Sequence, residues 1–257
     1  MRATRCVLAL LLFAVPAAAQ SAVDHVANGQ ALADARDPAA ALREFQAALR
    51  RDSTQYEANW RAAIAAVDIG KQTPDSVKSR SRDSLYALAE TYAKRAVAAN
   101  IMGPDGHFAL AAAIGRTSLT MSKTDRVKRA REIRTEALKA LELAPKHDGA
   151  YNVLGQWNAE IMRLSGMERF FAKNFLGGDY FSKASWKDAI AFMSRAVELR
   201  PEFLYHRLEL AEIYLDQKRY AEAREQLQII PSLPLIDVMD PVWKQDAARL
   251  LRSIQGK

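Results

Sequence analysis

Small residues recur along this chain at the spacing of two packed helices, and this recurrence limits its possible folds more than any other feature. Between positions 151 and 201, an aromatic residue is followed three and four places later by Leu and Gly. A second segment then carries small residues at helical spacing and ends at a proline. The residues concerned are Tyr151, Leu154, Gly155, Ala189, Met193, Ala196 and Pro201. Because small side chains let neighbouring helices approach closely, the pattern predicts helical hairpins that stack side by side.

This order of residues resembles the tetratricopeptide (TPR) repeat, a helical hairpin of 34 residues. The first hairpin, from about Ala22 to Arg51, has the standard length, since Gly29 and Ala41 are twelve positions apart. No segment alternates in the manner of a β-strand. We therefore predict an all-α fold: a TPR-like α-solenoid, in which about five helical hairpins over residues 20–257 form a right-handed superhelix. An amphipathic pattern after Asp240 predicts a C-terminal capping helix.

Three hairpins are longer than the template. Roughly fourteen extra residues lie between Ala63 and Ala89, about ten follow Ala111, and about 22 precede Ala189. Since Ser81 and Asp83 are capping residues, the first insertion predicts a lengthened second helix and a longer turn. The last insertion, at 166–183, is rich in aromatic residues: Phe170, Phe171, Phe175, Tyr180 and Phe181.

Residues 1–19 have the composition of a cleaved secretory signal peptide. Arg2 and Arg5 precede a short apolar run, and three alanines stand before Gln20. The run is too short to cross a bilayer. We expect an exported protein, periplasmic or secreted. Cleavage would remove Cys6, the one cysteine, and lower the formal net charge from +7 to +5. The mature chain would then hold neither a disulfide nor a thiolate metal site.

With the insertions placed, the chain resembles the TPR region of the regulator of microtubule dynamics family. The likeness rests on YAKRAV at 92–97, YNVLGQW at 151–157 and SWKDAI at 185–190, and it continues to the capping helix. The resemblance implies the TPR fold. It also implies the associations of eukaryotic members with microtubules, mitochondria, organelle contacts and phospholipid. Because a secretory signal stands in place of a membrane anchor, the chain resembles an exported bacterial relative, for which tubulin is not an available partner.

The repeat register also predicts which side chains face the concave groove. In TPR hairpins, the position after a first-helix packing residue faces the groove, and so does the position one turn later. The candidates are Trp60, Ile64, Phe108, Ala112, Asn152, Gln156, Leu208 and Glu212. An apolar surface at Trp60 and Phe108 would bind a Phe or Leu of a partner with roughly 1.5–3 kcal/mol for each buried side chain. Alternatively, the long second helices and the 166–183 insertion cover these residues, with the insertion as a lid.

A basic run on the predicted sixth helix is the second candidate surface. Arg126, Lys128, Arg129 and Arg131 spread around its exposed side. They form either a solvated face or a contact for anionic lipid or another polyanion. Nucleic acid is not expected, because aromatic residues do not interleave with these charges.

The remaining motifs do not indicate catalysis. The four histidines lack metal-site spacing, and His107 falls on a helix-packing position. Glu209, Glu212 and Asp216 lie along one helix without an identifiable nucleophile, so we interpret them as a solvated face. We predict no enzyme activity, cofactor or metal. The first hypothesis is a scaffold that binds a protein or peptide segment in the cell envelope. The alternative is a protein that binds or transfers phospholipid, with acyl chains in the groove and basic residues at the headgroups.

Overall fold

The computed structural model describes residues 21–175 and 179–257, so the predicted signal peptide at 1–19 lies outside the described residues. Every regular element in the described ranges is helical. The α-helices there are α1 (Ala22–Asp34), α2 (Pro38–Arg51), α3 (Tyr56–Lys71), α4 (Arg80–Ala99), α5 (Pro104–Ser118), α6 (Lys123–Leu143), α7 (Asp148–Arg163), α8 (Gly166–Phe175), α9 (Trp186–Leu199), α10 (Leu204–Asp216), α11 (Tyr220–Ile229) and α12 (Asp240–Ser253). Short 3-10 helices span Asp179–Lys183 and Ile230–Ser232.

These helices form the five hairpins that the sequence predicts. The pairs are α1 with α2, α3 with α4, α5 with α6, α7 with α9, and α10 with α11. The first helices α3, α5, α7 and α10 also contact one another in sequence, and α12 packs on α10 and α11 as a cap. The all-α, TPR-like solenoid is therefore confirmed.

Small residues meet neighbouring helices where the repeat pattern predicts. A Cβ atom added to Gly155 would lie 3.2 Å from both the backbone nitrogen and the Cβ atom of Met193. Ala189 and Ala196 are fully buried in a cluster with Ile213 of the next hairpin. Glycine and alanine at these positions allow α7, α9 and α10 to pack at short range.

The insertion after Ala63 lengthens α4 to 20 residues, as predicted. Its capping residue is different from the prediction. The Ser79 hydroxyl accepts a hydrogen bond from the backbone N–H of Arg82, so the helix begins before Ser81 and Asp83, which lie within its first turn.

All three insertions fall where a turn joins the first helix of a hairpin to its second helix, and part of the first two lengthens α4 and α6 rather than the turn. These turns are residues 72–79, 119–122 and 164–185. Because the hairpins stack side by side, the three turns share one edge of the solenoid, which we call the turn edge. The turns between hairpins lie at the opposite edge.

Candidate functional site

The first helices surround a chamber of about 1340 Å³ on the concave side of the solenoid. This volume exceeds the roughly 300–1,000 Å³ that is usual for small-molecule pockets, so the chamber has room for a short chain segment. Seven of the predicted groove residues line it: Trp60, Ile64, Phe108, Ala112, Asn152, Gln156 and Glu212.

One wall of the chamber is apolar. Trp60 and Ile64 project from α3, and Phe108 projects from α5. All three side chains are only partly buried, so this wall still meets solvent. The Phe108 ring packs against the ring of His147, with centroids 4.7 Å apart. Neighbouring side chains therefore hold the aromatic wall in place without covering it.

Leu208 is the exception among the predicted groove residues. It is only 3% exposed and packs with Trp243 and Ala247 of the capping helix. The prediction that Leu208 faces the groove is wrong, because α12 packs over this part of α10. The chamber side of α10 carries Tyr205 and Glu209 instead.

The wall formed by α7 and α10 is polar and ordered by hydrogen bonds. The Gln156 amide Nε2 donates to the Tyr205 hydroxyl at 3.1 Å and to the Asn152 carbonyl Oδ1 at 3.2 Å. The Asn152 Nδ2 atom lies 3.2 Å from Nδ1 of His206, whose Nε2 atom is 3.0 Å from Asp148. Tyr205 also stacks on Trp243 of the capping helix, with centroids 4.3 Å apart. This network fixes the polar side chains before any ligand binds.

Carboxylates make this polar wall acidic. Burial, followed by the charge of Glu209, raises the pKa of Glu212 to about 7. Burial also raises the pKa of Glu209 above its ordinary value. Arg163 offsets part of this charge, since it forms ion pairs with Glu160 at 2.6 Å and Asp216 at 2.8 Å. A cationic group placed here would stabilise the ionised carboxylates.

A second row of chamber residues is missing from the sequence prediction. Asp68, Arg116 and Glu160 line the chamber one helical turn beyond Ile64, Ala112 and Gln156. Extension of the repeat register by four residues would have found all three. The helical period of the sequence therefore indicates these three positions, which the sequence prediction did not include.

The Trp60 end of the chamber is crossed by residues 234–239, which we call the strap. Ile236 and Asp237 of the strap line a small cavity of about 100 Å³ together with Trp60 and Ile64. The backbone N–H groups of Ile236 and Asp237 donate to one carboxylate oxygen of the buried Asp240, at 2.6 and 2.7 Å. The strap thus narrows the apolar end of the chamber.

The 166–183 insertion does not have the position predicted for a lid. Tyr180 and Phe181 pack behind Trp157 and Ile161, together with side chains of α6. None of the described residues of the insertion lines the chamber. Phe170 is 58% exposed, while the side chains of Phe171 and Phe175 lie outside the described residues. Burial of Tyr180 and Phe181 against α6 and α7 accounts for the position of this part of the insertion.

The basic run on α6 divides into two groups. The Arg129 guanidinium forms an ion pair with Glu90 of α4 at 2.7 Å, and the guanidinium of Arg131 lies 5.0 Å from the ring centroid of Tyr180. Both therefore help to join neighbouring elements. Arg126 and Lys128 are exposed.

The histidines have structural contacts. His107 is 4% exposed, with Nδ1 2.6 Å from Glu136 and Nε2 2.8 Å from the carbonyl of Ile101. In the described part of the chain, His, Cys, Asp and Glu side chains do not gather in threes around a possible metal position. Among the helices described, none has the length and apolar character needed to cross a bilayer.

Comparison with solved structures supports the TPR fold. A thermophilic TPR protein from Thermus thermophilus superposes with a TM-score of 0.60 at 19% identity, covering 88% of this chain and 98% of that one. At this identity, the similarity concerns the fold alone.

Comparison with protein families adds a more specific relation. Residues 21–255 match the family model for regulator of microtubule dynamics protein 1-3. Regulator of microtubule dynamics protein 3 of Rattus norvegicus is 25% identical over 193 residues, and that of Bos taurus is 25% identical over 197 residues. Each alignment covers 74% of this chain and 40% of the relative, so the chain matches less than half the length of those proteins. On the extent of the family match, the chain belongs to the regulator of microtubule dynamics protein 1-3 family.

Proposed function

We propose that the protein is a non-enzymatic scaffold that binds a segment of a partner protein in its concave chamber. The amphiphilic lining of the chamber carries this proposal. Trp60, Ile64 and Phe108 offer an open apolar wall, and Glu209 and Glu212 offer carboxylates on α10. A peptide with two apolar side chains and a nearby Lys or Arg complements both walls.

The energies agree with reversible binding. Each Phe or Leu side chain buried on the apolar wall contributes roughly 1.5–3 kcal/mol. A micromolar complex needs about 8 kcal/mol in total. Two such side chains supply about 3–6 kcal/mol, so the remainder must come from the ion pair and from hydrogen bonds to the polar wall, and the ordering cost that opposes binding is lower when the site is preordered. The hydrogen-bonded side chains of α7 and α10 provide that order.

A display library of random peptides tests the proposal with purified residues 20–257. We expect enrichment of peptides that combine aromatic or aliphatic residues with Lys or Arg. Trp60→Ala and Phe108→Ala should each weaken the selected peptides by about tenfold or more. Ile101→Ala, at a side chain that is 66% exposed in a turn between hairpins, is the control and should leave affinity unchanged.

Two results would contradict this proposal. One is selection of peptides whose affinity is the same for wild type and both wall variants. The other is unfolding of both wall variants, detected by circular dichroism, which would show that Trp60 and Phe108 serve the core.

Phospholipid is the second candidate ligand, because the same apolar wall suits acyl chains. The carboxylates of Glu209 and Glu212 disfavour an anionic headgroup at the polar wall, and this is why we rank it second. Organic extraction of the purified protein followed by mass spectrometry distinguishes the two ligands. Stoichiometric phospholipid would favour lipid binding, and its absence would favour the peptide.

The location that we propose is the cell envelope, on the basis of the charged and apolar pattern of residues 1–19. Expression of the full chain in a Gram-negative host tests this. Protein recovered from the periplasm should begin at Gln20, whereas recovery of uncleaved protein in the cytoplasm would contradict export.

A further inference from the structure

The chamber is closed on one side by a contact between distant parts of the chain. The first helices α3, α5, α7 and α10 follow one another around it, each in contact with the next. After the fifth hairpin, the strap and α12 return to α3. The strap lies beside Trp60 and Ile64, and the ring of Trp243 faces the amine of Lys71. We call the meeting of α3 with residues 236–243 the closing contact.

The closing contact lacks the hydrogen bonds that join other elements around the chamber. The Tyr56 hydroxyl of α3 accepts from the backbone N–H of Gly106 in α5 at 2.9 Å. Gln156 of α7 donates to Tyr205 of α10 at 3.1 Å. Among the residues that the structure describes, by contrast, neither a hydrogen bond nor an ion pair joins α3 to residues 230–257.

Apolar packing at the closing contact is incomplete. A cavity of about 100 Å³ remains between Trp60 and the strap. Side chains around such a space lose part of their dispersion attraction, because they have no partner atoms on one side. The specific attraction across the contact is the Lys71 amine, which lies 5.4 Å from the ring centroid of Trp243.

Two carboxylates oppose closure. Burial raises the pKa of Asp68 on α3, and the charge of Asp237 on the strap adds to this rise. Like charges this close favour separation of the two sides. The amine of Lys71 lies 2.7 Å from Asp68 and offsets part of the repulsion. The closing contact therefore combines one weak attraction with one repulsion.

The strap and α12 form one unit on their side of this contact. Two strap N–H groups donate to Asp240, at 2.6 and 2.7 Å. The amine of Lys244 donates to the carbonyls of Pro231 and Leu233, at 3.0 and 2.5 Å. All these bonds lie within residues 231–244, so the closing contact can separate without breaking any of them.

We propose that the closing contact is a gate of the chamber, which separates to admit the partner segment and then closes over it. Separation uncovers the apolar wall, since Trp60 and Ile64 lie beside the strap. A segment that fills the space between α3 and the strap adds the packing that is missing there, so binding favours the closed form. This inference rests on the proposed function, because it concerns entry of the partner to the same chamber.

Distances between spin labels test the gate without a partner. Since Cys6 is the one cysteine of the chain, residues 20–257 accept Gln72→Cys and Val242→Cys, two exposed positions that flank the closing contact. We expect a short and a long population of distances. The control pair, Val242→Cys with Arg249→Cys, lies on α12 alone and should give one narrow population. A distribution across the closing contact as narrow as the control would overturn the proposal.

Substitutions at the contact should shift the two populations in opposite directions. Lys71→Ala removes the cation that faces Trp243 and should raise the ratio of long to short distances by about fivefold. Asp237→Asn removes the like charge and should lower this ratio. Lys139→Ala is the control, because its amine pairs with Glu142 on α6, and it should change neither population. Equal effects of the three substitutions would contradict the gate.

A covalent bridge tests whether the partner enters here. A short bismaleimide joins the two cysteines of the Gln72→Cys, Val242→Cys protein, and the probe is a fluorescent peptide selected by display on residues 20–257. A bridge formed first should slow peptide association by about tenfold or more, and one formed after binding should slow dissociation similarly. The same reagent on the Val242→Cys, Arg249→Cys protein should change neither rate. Unchanged rates across the closing contact would show entry along the turn edge or the opposite edge and would refute the gate.

The two experiments separate this inference from the proposed function. If no selected peptide depends on Trp60 and Phe108, the proposed function fails, while the spin-label distances still decide whether the closing contact opens. If peptides depend on both residues and the bridge has no effect, the chamber binds as proposed and only the gate is wrong. Circular dichroism of every variant checks that the fold is retained.

Discussion

Gly29 provides the sharpest test of the packing that holds the first hairpin together. The ring of Phe45, which is 1% exposed, lies directly against this glycine of α1. A Cβ atom added at Gly29 would lie 2.7 Å from Cδ1 and 2.9 Å from Cζ of that ring. Non-bonded carbon atoms prefer about 3.5–4.0 Å, so Gly29→Ala forces the ring or the helix to move.

The magnitude follows from two opposing effects. Alanine in a helix interior is favoured over glycine by about 1 kcal/mol, while overpacking of a core costs about 1–3 kcal/mol. Gly115 in α5 supplies a control, because a Cβ atom added there would meet no atom within 4 Å other than those of its chain neighbours and of the backbone of its own helix. Gly115→Ala should therefore stabilise the protein by about 1 kcal/mol. The difference between the two variants isolates the overlap with Phe45, which we expect to be about 1–3 kcal/mol.

Urea unfolding followed by circular dichroism measures this difference. Hydrogen exchange of α1 and α2 should accompany it, because a terminal hairpin of a repeat protein can open separately. In a double-mutant cycle, Phe45→Leu should remove most of the penalty of Gly29→Ala. If Gly29→Ala raises the unfolding midpoint as much as Gly115→Ala does, the close approach of α1 to Phe45 is wrong.

Three further substitutions test the chamber, the strap and the cap. Burial and the charge of Glu209 raise the pKa of Glu212 from 4.5 to about 7. Between these pH values Glu212 ionises in the unfolded protein but stays protonated in the folded one, so the stability of the fold falls as the pH rises. Thermal unfolding should show a smaller loss over this range for Glu212→Gln than for wild type, while Glu142→Gln, at an exposed side chain, should behave as wild type. Asp240→Ala removes the acceptor of two strap N–H groups; we expect faster hydrogen exchange across 234–239 and a loss of about 0.5–2 kcal/mol. Leu208→Ala should lower the free energy of unfolding by about 2–5 kcal/mol without lowering the affinity for peptides selected on the chamber. A loss of peptide affinity at unchanged stability would instead show that Leu208 faces the groove.

The sequence predicted the hairpins and most of the chamber because both depend on local spacing. Gly29, Gly155 and Ala196 mark positions where two helices pack closely, because a larger side chain there would push the two helices apart. Once the packing positions are known, the 3.6-residue period assigns the groove face, and Trp60 and Phe108 follow from it. The same period failed at Leu208, since no local pattern reveals that a later helix covers that position.

The sequence by itself therefore indicated the hairpins, the length of their insertions and most of the residues that line the chamber. Only the tertiary structure decided how distant segments meet. The Lys71 amine of α3 lies 5.4 Å from the ring centroid of Trp243 in the capping helix, and the strap beside that helix reaches the Trp60 end of the chamber. Such contacts depend on the curvature of the whole solenoid. This curvature is the sum of small rotations between successive hairpins, so the sequence of one hairpin does not predict it.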